Sequence, residues 1–164
     1  MNVLVSCDHP RGAAAARRLR AKGRAFLAAL GRKGSELSIL LTGDARIRRL
    51  NRQWRKKDRA TDVLSFPLSD PPGVSPLLGD VVISLDTAAR RGGEDARAVN
   101  RELDRYLAHG ILHLLGFDHV RRSDAVVMAA REEALIRGDG LVGAAMKQER
   151  QGRAGARSPR RKKG

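Results

Sequence analysis

Three of the four histidines, His109, His113 and His119, lie in one short segment. Residues four apart on a helix share a face, so the imidazoles of His109 and His113 can reach one point in space. Gly116 precedes the third histidine, and glycine readily adopts the left-handed conformation that ends a helix and turns the chain back. The spacing predicts one Zn²⁺ per chain, held by these three side chains.

The alternative is that the histidines on the helix pack against the core by chance. Their clustering at ligand spacing favours a metal instead. The spacing also resembles the ligand frame of the metzincin zinc proteases. However, Gly110 stands where those proteases carry their catalytic glutamate, which argues against peptidase activity.

The chemistry expected of such a site follows from its open coordination. Three neutral imidazoles would leave the ion its full charge and a vacant position, lowering the pKa of bound water to about 7. A structural zinc site is normally closed by four protein ligands, and we find no plausible fourth here. We therefore expect a catalytic metal.

The charge of the chain favours a polyanionic partner. The formal net charge is +15, and the segment from Lys147 to Gly164 holds eight basic residues and one acidic residue. The remainder is still clearly basic, which is typical of proteins that bind nucleic acid. A compositional bias without function is the alternative. Aromatic residues make up only 3% of the chain, which argues against a binder that stacks bases on several exposed rings.

The single cysteine, Cys7, excludes an intramolecular disulfide and suits a reducing compartment. No apolar run approaches the roughly 20 residues that span a membrane, and no export signal is recognisable. We therefore expect a cytoplasmic protein without membrane contact. Cys7 is interpreted as a small buried hydrophobe and His9 as an exposed turn residue.

Hydrophobic periodicity and turn residues predict short strands alternating with helices. The predicted strands are 3–6, 37–41, 62–66 and 80–85. The predicted helices are 13–30, one that begins at Asp44 with Ile47, Leu50 and Trp54 on one face, a short one after Leu85, 97–115 and 123–138. This pattern predicts an α+β domain, with a sheet of about four strands packed against helices, over residues 1–137. Residues 138–164 form a basic tail that we expect to be disordered.

Several ordered blocks resemble the YbeY family of bacterial rRNA-maturation endoribonucleases. They are His109–His119, Asn51–Asp58, Thr61–Pro67 and Leu78–Val81, with Asp124, Met128 and Glu132 in the last helix. The resemblance spans roughly residues 37–136. Two departures are Ala60, where proline is common, and Arg90 and Arg91, where a glutamine is common.

The resemblance implies a zincin-like fold, the three histidine ligands and an open metal position facing a basic cleft. It also implies zinc-dependent, single-strand-specific RNA cleavage, in 16S rRNA 3′-end maturation and in ribosome quality control. RNA and ribosomal particles would be the partners. Arg55 is the functional arginine that the resemblance implies, and a planar guanidinium suits a phosphate.

Further candidates lie beside these residues. Arg52, Lys56 and Lys57 are candidate RNA contacts. Asp118 is either a turn residue or a hydrogen-bond acceptor for a ligand imidazole. Asp62 and Asp80 could line the cleft, although Asp80 more simply reads as a strand-edge residue. The alternative functions are a zinc peptidase and a ribosome-associated factor with structural zinc.

Overall fold

The computed structural model describes residues 2–118 and 121–138, and these form an α+β domain. The strands are β1 (Asn2–Cys7), β2 (Glu36–Thr42), β3 (Val63–Pro67) and β4 (Leu77–Ser84). The helices are α1 (Ala13–Ala29), α2 (Asp44–Arg55), α3 (Leu85–Gly92), α4 (Ala96–Leu114) and α5 (Arg122–Arg137). The predicted fold class is confirmed, with element ends that differ by a few residues. The predicted tail lies outside the described residues from position 139 onward.

The four strands form one mixed sheet in the order β1-β2-β4-β3. β1 and β4 pair with β2 in parallel, whereas β3 pairs with β4 in antiparallel orientation. Parallel strands must be joined by a crossover connection. α1 lies in the connection from β1 to β2, and α2 lies in the connection from β2 to β4. This order could not be read from the sequence.

The sheet is covered on both faces because its strands alternate two sets of apolar side chains. Val81 and Ile83 belong to the large core that α1, α4 and α5 cover. Val82 lies on the other face in a smaller cluster with Ile47 of α2 and Leu64 of β3. The alternation follows from the two-residue period of a strand. The two apolar faces of the sheet therefore bring α2 and α4, which carry the candidate site residues, against the same strands.

A buried ion pair ties α1 to α4. Arg18 donates two hydrogen bonds to Asp104, at 2.6 and 2.5 Å, and Lys22 lies 3.6 Å from the same carboxylate. The Asp104 side chain is only 7% exposed. A buried carboxylate needs cationic partners. The ion pair of Arg18 with Asp104 therefore depends on how α1 and α4 pack against each other.

Two interpretations near the N-terminus are wrong. Cys7 is exposed, because it ends β1, which is the edge strand of the sheet. The His9 side chain is 9% exposed, and its Nε2 lies 2.9 Å from Asp86 Oδ1. The carboxyl ends of β1 and β4 bring these two residues together, since parallel strands end at the same edge of a sheet.

Trp54 also departs from the prediction. Ile47 is fully buried and Leu50 is half-buried, but Trp54 is 62% exposed. It lies in the last turn of α2, and its ring meets the Phe66 ring of β3 edge-on, at 6.3 Å between ring centroids. The apolar face predicted for this helix therefore holds only in its first turns.

Candidate functional site

His109 and His113 meet on one face of α4, as their spacing predicts. Their Nε2 atoms are 3.0 Å apart, and their rings are nearly perpendicular with centroids 4.6 Å apart. The helix begins at the N-cap Asp95, whose side chain accepts a hydrogen bond from the Arg97 amide, and it is followed by Gly116 at a φ of 91°. The predicted turn glycine thus does adopt the left-handed conformation.

Glu132 of α5 holds the outer nitrogen of His109. Its Oε1 lies 2.5 Å from His109 Nδ1, and its side chain is 15% exposed. A carboxylate at Nδ1 fixes the orientation and tautomer of an imidazole, so that Nε2 is the nitrogen that would coordinate a metal. The sequence predicts Asp118 as a candidate for this kind of contact and gives Glu132 only as part of the family resemblance. The position of Glu132 on the last helix does not by itself reveal its partner.

The two imidazoles fit a zinc ion. With Zn–N bonds of 2.0–2.1 Å, tetrahedral geometry places two ligand nitrogens about 3.3 Å apart, close to the 3.0 Å between the Nε2 atoms. His119, the predicted third ligand, lies outside the described residues. Within residues 2–118 and 121–138, no group of three or more histidine, cysteine, aspartate or glutamate side chains is arranged to hold a metal. The full ligand set therefore stays a prediction.

Gly110 faces the sheet and has no room for a side chain. A Cβ at this position would lie 2.6 Å from Val81 Cγ1 and 3.3 Å from Ser65 Oγ. The Ser65 hydroxyl donates to the Gly110 carbonyl at 3.3 Å, which joins β3 to α4. A glutamate here would collide with the core.

An open cleft of about 850 Å³ contains His109 and His113. Three cations from α2 and the segment after it line this cleft: Arg55, Lys57 and Arg59. Asp62 and Asp118 are its acidic residues. Arg52 and Lys56 are exposed but are not among its lining residues, and neither is Asp80, which is an exposed residue of β4. The cleft is thus suited to an anionic ligand next to the histidine pair.

Arg55 is held along β3. Its Nη2 donates to the Ser65 carbonyl at 2.5 Å, and its guanidinium lies 5.6 Å from the centre of the Phe66 ring. These contacts fix one edge of the planar group and leave its other donors for a ligand. Arg55 and the histidines line the same cleft although they are distant in sequence.

Asn51 positions the segment that carries Lys57 and Arg59, and neither Asn51 nor Arg59 was predicted as a site residue. The Asn51 side chain is 3% exposed and donates to the Arg59 carbonyl at 2.9 Å. The Asn51 carbonyl accepts from the Lys57 amide at 3.3 Å. Lys56 has a positive φ of 58°, which turns the chain at this point. The sequence signal for Arg59 was its position within the basic run after α2.

Asp62 is ionised and paired at the edge of the cleft. Burial raises the pKa of Asp62, but hydrogen bonds from Arg91 and the Val63 amide outweigh this effect, so that the pKa lies below its usual range. Arg91 also donates to the Tyr106 hydroxyl at 3.1 Å. Burial, followed by the bond to Glu102, raises the pKa of Tyr106 to about 12. Arg91 therefore connects Asp62, at the edge of the cleft, to Tyr106 of α4.

The fold and the site define a small α+β domain with an open, basic cleft around a histidine pair. The family model described as Endoribonuclease YbeY matches residues 13–138. The chain belongs to the YbeY family.

Relatives support this assignment over most of the chain. Endoribonuclease YbeY of Anaeromyxobacter dehalogenans is 67% identical over 156 residues, which cover 94% of this chain and 81% of the relative. The protein of the same name from Anaeromyxobacter sp. strain Fw109-5 is 67% identical over 148 residues, covering 90% of this chain and 77% of the relative. That of Aquifex aeolicus is 52% identical over 93 residues, covering 57% of this chain and 62% of the relative.

A solved structure shares the fold. The solution structure of TM1509 from Thermotoga maritima matches with a TM-score of 0.60 and 22% identity, covering 98% of this chain and 99% of that one. Among the described residues, none of the helices combines the length and apolar character needed to cross a bilayer.

Proposed function

We propose that the chain is a zinc-dependent endoribonuclease that cleaves single-stranded RNA. The observation that carries the proposal is the 3.0 Å pairing of His109 and His113 Nε2 inside a cleft lined by Arg55, Lys57 and Arg59. A phosphodiester is an anion that such a lining attracts. The names of the relatives support RNA as the substrate.

Each group would have a distinct role. His109, His113 and His119 would hold one zinc ion, with Glu132 fixing the imidazole of His109. When bound, zinc acts as a Lewis acid and lowers the pKa of water to about 7. Arg55 would bind the scissile phosphate through its free guanidinium donors, and Lys57 and Arg59 would bind flanking phosphates.

The family resemblance extends this proposal to the cell. Maturation of the 16S rRNA 3′ end and ribosome quality control in the cytoplasm would be the setting, with ribosomal particles as partners. A zinc peptidase is disfavoured because Gly110 stands where such proteases carry their catalytic glutamate, and a Cβ at this position would lie 2.6 Å from Val81 Cγ1.

The central test is an RNA-cleavage assay with metal analysis on the purified full-length chain. Wild type should cleave single-stranded RNA and hold about one zinc per chain, whereas His113→Ala should lose both properties and keep its circular dichroism spectrum. Glu133→Ala, at an exposed neighbour of Glu132, is the matched control and should behave as wild type. Unimpaired cleavage by His113→Ala would reject the catalytic metal. Unfolding of this variant would instead support a structural zinc.

Arg55 is tested separately. Arg55→Ala should abolish cleavage with zinc content unchanged, because the side chain is held by the Ser65 carbonyl of β3 and is not one of the proposed ligands. Arg20→Ala, at an exposed site on α1, controls for the lost charge. A substrate with one 2′-deoxy substitution at the scissile nucleotide then distinguishes the nucleophiles: continued cleavage eliminates the 2′-hydroxyl.

A further inference from the structure

The only tryptophan of the chain is exposed and directly precedes Arg55, which lines the cleft. Trp54 occupies the last turn of α2, and 62% of it is accessible to solvent. Exposed apolar side chains are common on protein surfaces, so exposure alone indicates little. The contacts of this ring with neighbouring side chains are what indicate a function for it.

Trp54 belongs to a group of planar side chains that leads into the cleft. Its ring meets the Phe66 ring edge-on, at 6.3 Å between centroids and an angle of 67°. The guanidinium of Arg55 lies 5.6 Å from the centre of the same Phe66 ring. Since Arg55 lines the cleft, the indole is two contacts away from the proposed phosphate ligand.

The end of α2 is rich in cations. Arg55 and Lys56 follow Trp54 directly in the chain and are exposed, whereas Arg49 and Arg52 lie on the other side of the helix. Arg55 and Lys57 both line the cleft. An exposed aromatic ring next to a groove lined with cations is the combination by which proteins bind single-stranded nucleic acid without sequence preference.

We propose that Trp54 stacks on an unpaired base of the RNA strand whose phosphate lies at Arg55. This inference rests on the proposed function, because it takes RNA as the ligand of the cleft. A base in a duplex is covered on both faces by its neighbours and cannot stack on the indole. The site would therefore contribute to the selection of single-stranded RNA. It would do so with one aromatic ring, which is compatible with an aromatic content too low for several stacking rings.

Because Trp54 is the only indole, its fluorescence reports directly on the contact. The full-length chain is titrated at low temperature with short single-stranded oligoadenylate, and a gel verifies afterwards that the RNA is intact. Single-stranded RNA should quench the emission, whereas a duplex of matched length and inorganic polyphosphate should bind with little quenching. Equal quenching by duplex or polyphosphate, or RNA binding without quenching, would overturn the proposal.

Variants measure the contribution of the ring. Trp54→Ala should weaken binding of labelled single-stranded RNA about tenfold, and Trp54→Phe should retain most of the affinity. Leu4→Ala removes another exposed apolar side chain, on the opposite edge of the sheet from β3, and should have no effect. Affinity equal to that of wild type in Trp54→Ala would contradict stacking.

An abasic nucleotide, moved along the oligonucleotide, identifies the stacked base. At one position it should weaken wild-type binding about as much as Trp54→Ala does, and it should add nothing to that variant. Fully additive losses at every position would contradict the contact. These assays measure binding, so they remain decisive if cleavage is absent: quenching without cleavage would reject the proposed activity and retain the stacking site.

Discussion

At the residue scale, the site depends on contacts that fix the direction of individual side chains. His109 is held at Nδ1 by Glu132 and faces His113 through Nε2. Arg55 is held at one edge by the Ser65 carbonyl. Each side chain is thereby oriented before a ligand arrives, which reduces the entropy lost on binding.

Replacing Glu132 should weaken metal binding. Glu132→Ala removes the carboxylate that orients His109, and the zinc affinity should fall about 10- to 100-fold. Glu132→Gln keeps an acceptor oxygen and should cost less. Competition with a chromogenic chelator measures both, with the exposed Glu133→Gln as control. An unchanged affinity in Glu132→Ala would show that this contact does not support the metal.

Gly110 should not tolerate even a methyl group. In Gly110→Ala the new Cβ meets both γ-carbons of Val81, which is fully buried, and the free energy of unfolding should fall by about 1–3 kcal/mol. Gly34→Ala is the control, since a Cβ there has nothing within 4 Å. Urea denaturation measures the difference. Adding Val81→Ala should recover part of the loss, and failure to recover any would contradict the proposed collision.

At the element scale, α4 is the helix on which the site is assembled. α5 supplies Glu132 to it, β3 approaches it at Gly110 through Ser65, and α1 is joined to it by Arg18. The end of α2 reaches the same cleft through Arg55 and the segment held by Asn51. Stability of these helix contacts is therefore a condition for the geometry of the site.

Breaking the α1–α4 ion pair should destabilise the domain. Arg18→Leu leaves the buried Asp104 carboxylate with Lys22, and the free energy of unfolding should fall by about 2–3 kcal/mol. Arg17→Leu changes an exposed neighbour on the same helix and should stay within about 0.5 kcal/mol of wild type. Equal stability of the two variants in thermal unfolding would contradict a role for the pair.

At the scale of the whole molecule, several carboxylates accept hydrogen bonds from groups on distant elements. Asp86 accepts hydrogen bonds from the Asp44 amide and from His9, which lower its pKa. Burial raises the pKa of Asp44, but bonds from Arg90, Ser84 and Thr87 lower it by more. These hydrogen bonds and ion pairs connect the ends of strands to the starts of helices.

Acid should therefore unfold the protein. A carboxylate whose pKa is lower in the folded state stabilises the fold above its unfolded pKa of about 3.9, and this contribution disappears as the pH falls through the folded pKa. The free energy of unfolding should decrease steadily below about pH 4. Asp86→Asn should lower the stability at neutral pH and make this decrease shallower. An identical pH slope for Asp86→Asn and wild type would contradict the contribution of Asp86.

The sequence alone determined much of the fold class and part of the site. Periodicity reports which residues share a face, so it correctly predicted the helices and the meeting of His109 and His113. The turn at Gly116 was predicted from the conformational freedom of glycine. Strand order, the contact of Glu132 with His109, the burial of His9 and the exposure of Trp54 were decided only by the tertiary structure. These features depend on which distant segments pack together, and a local pattern of apolar and polar residues carries no information about that choice.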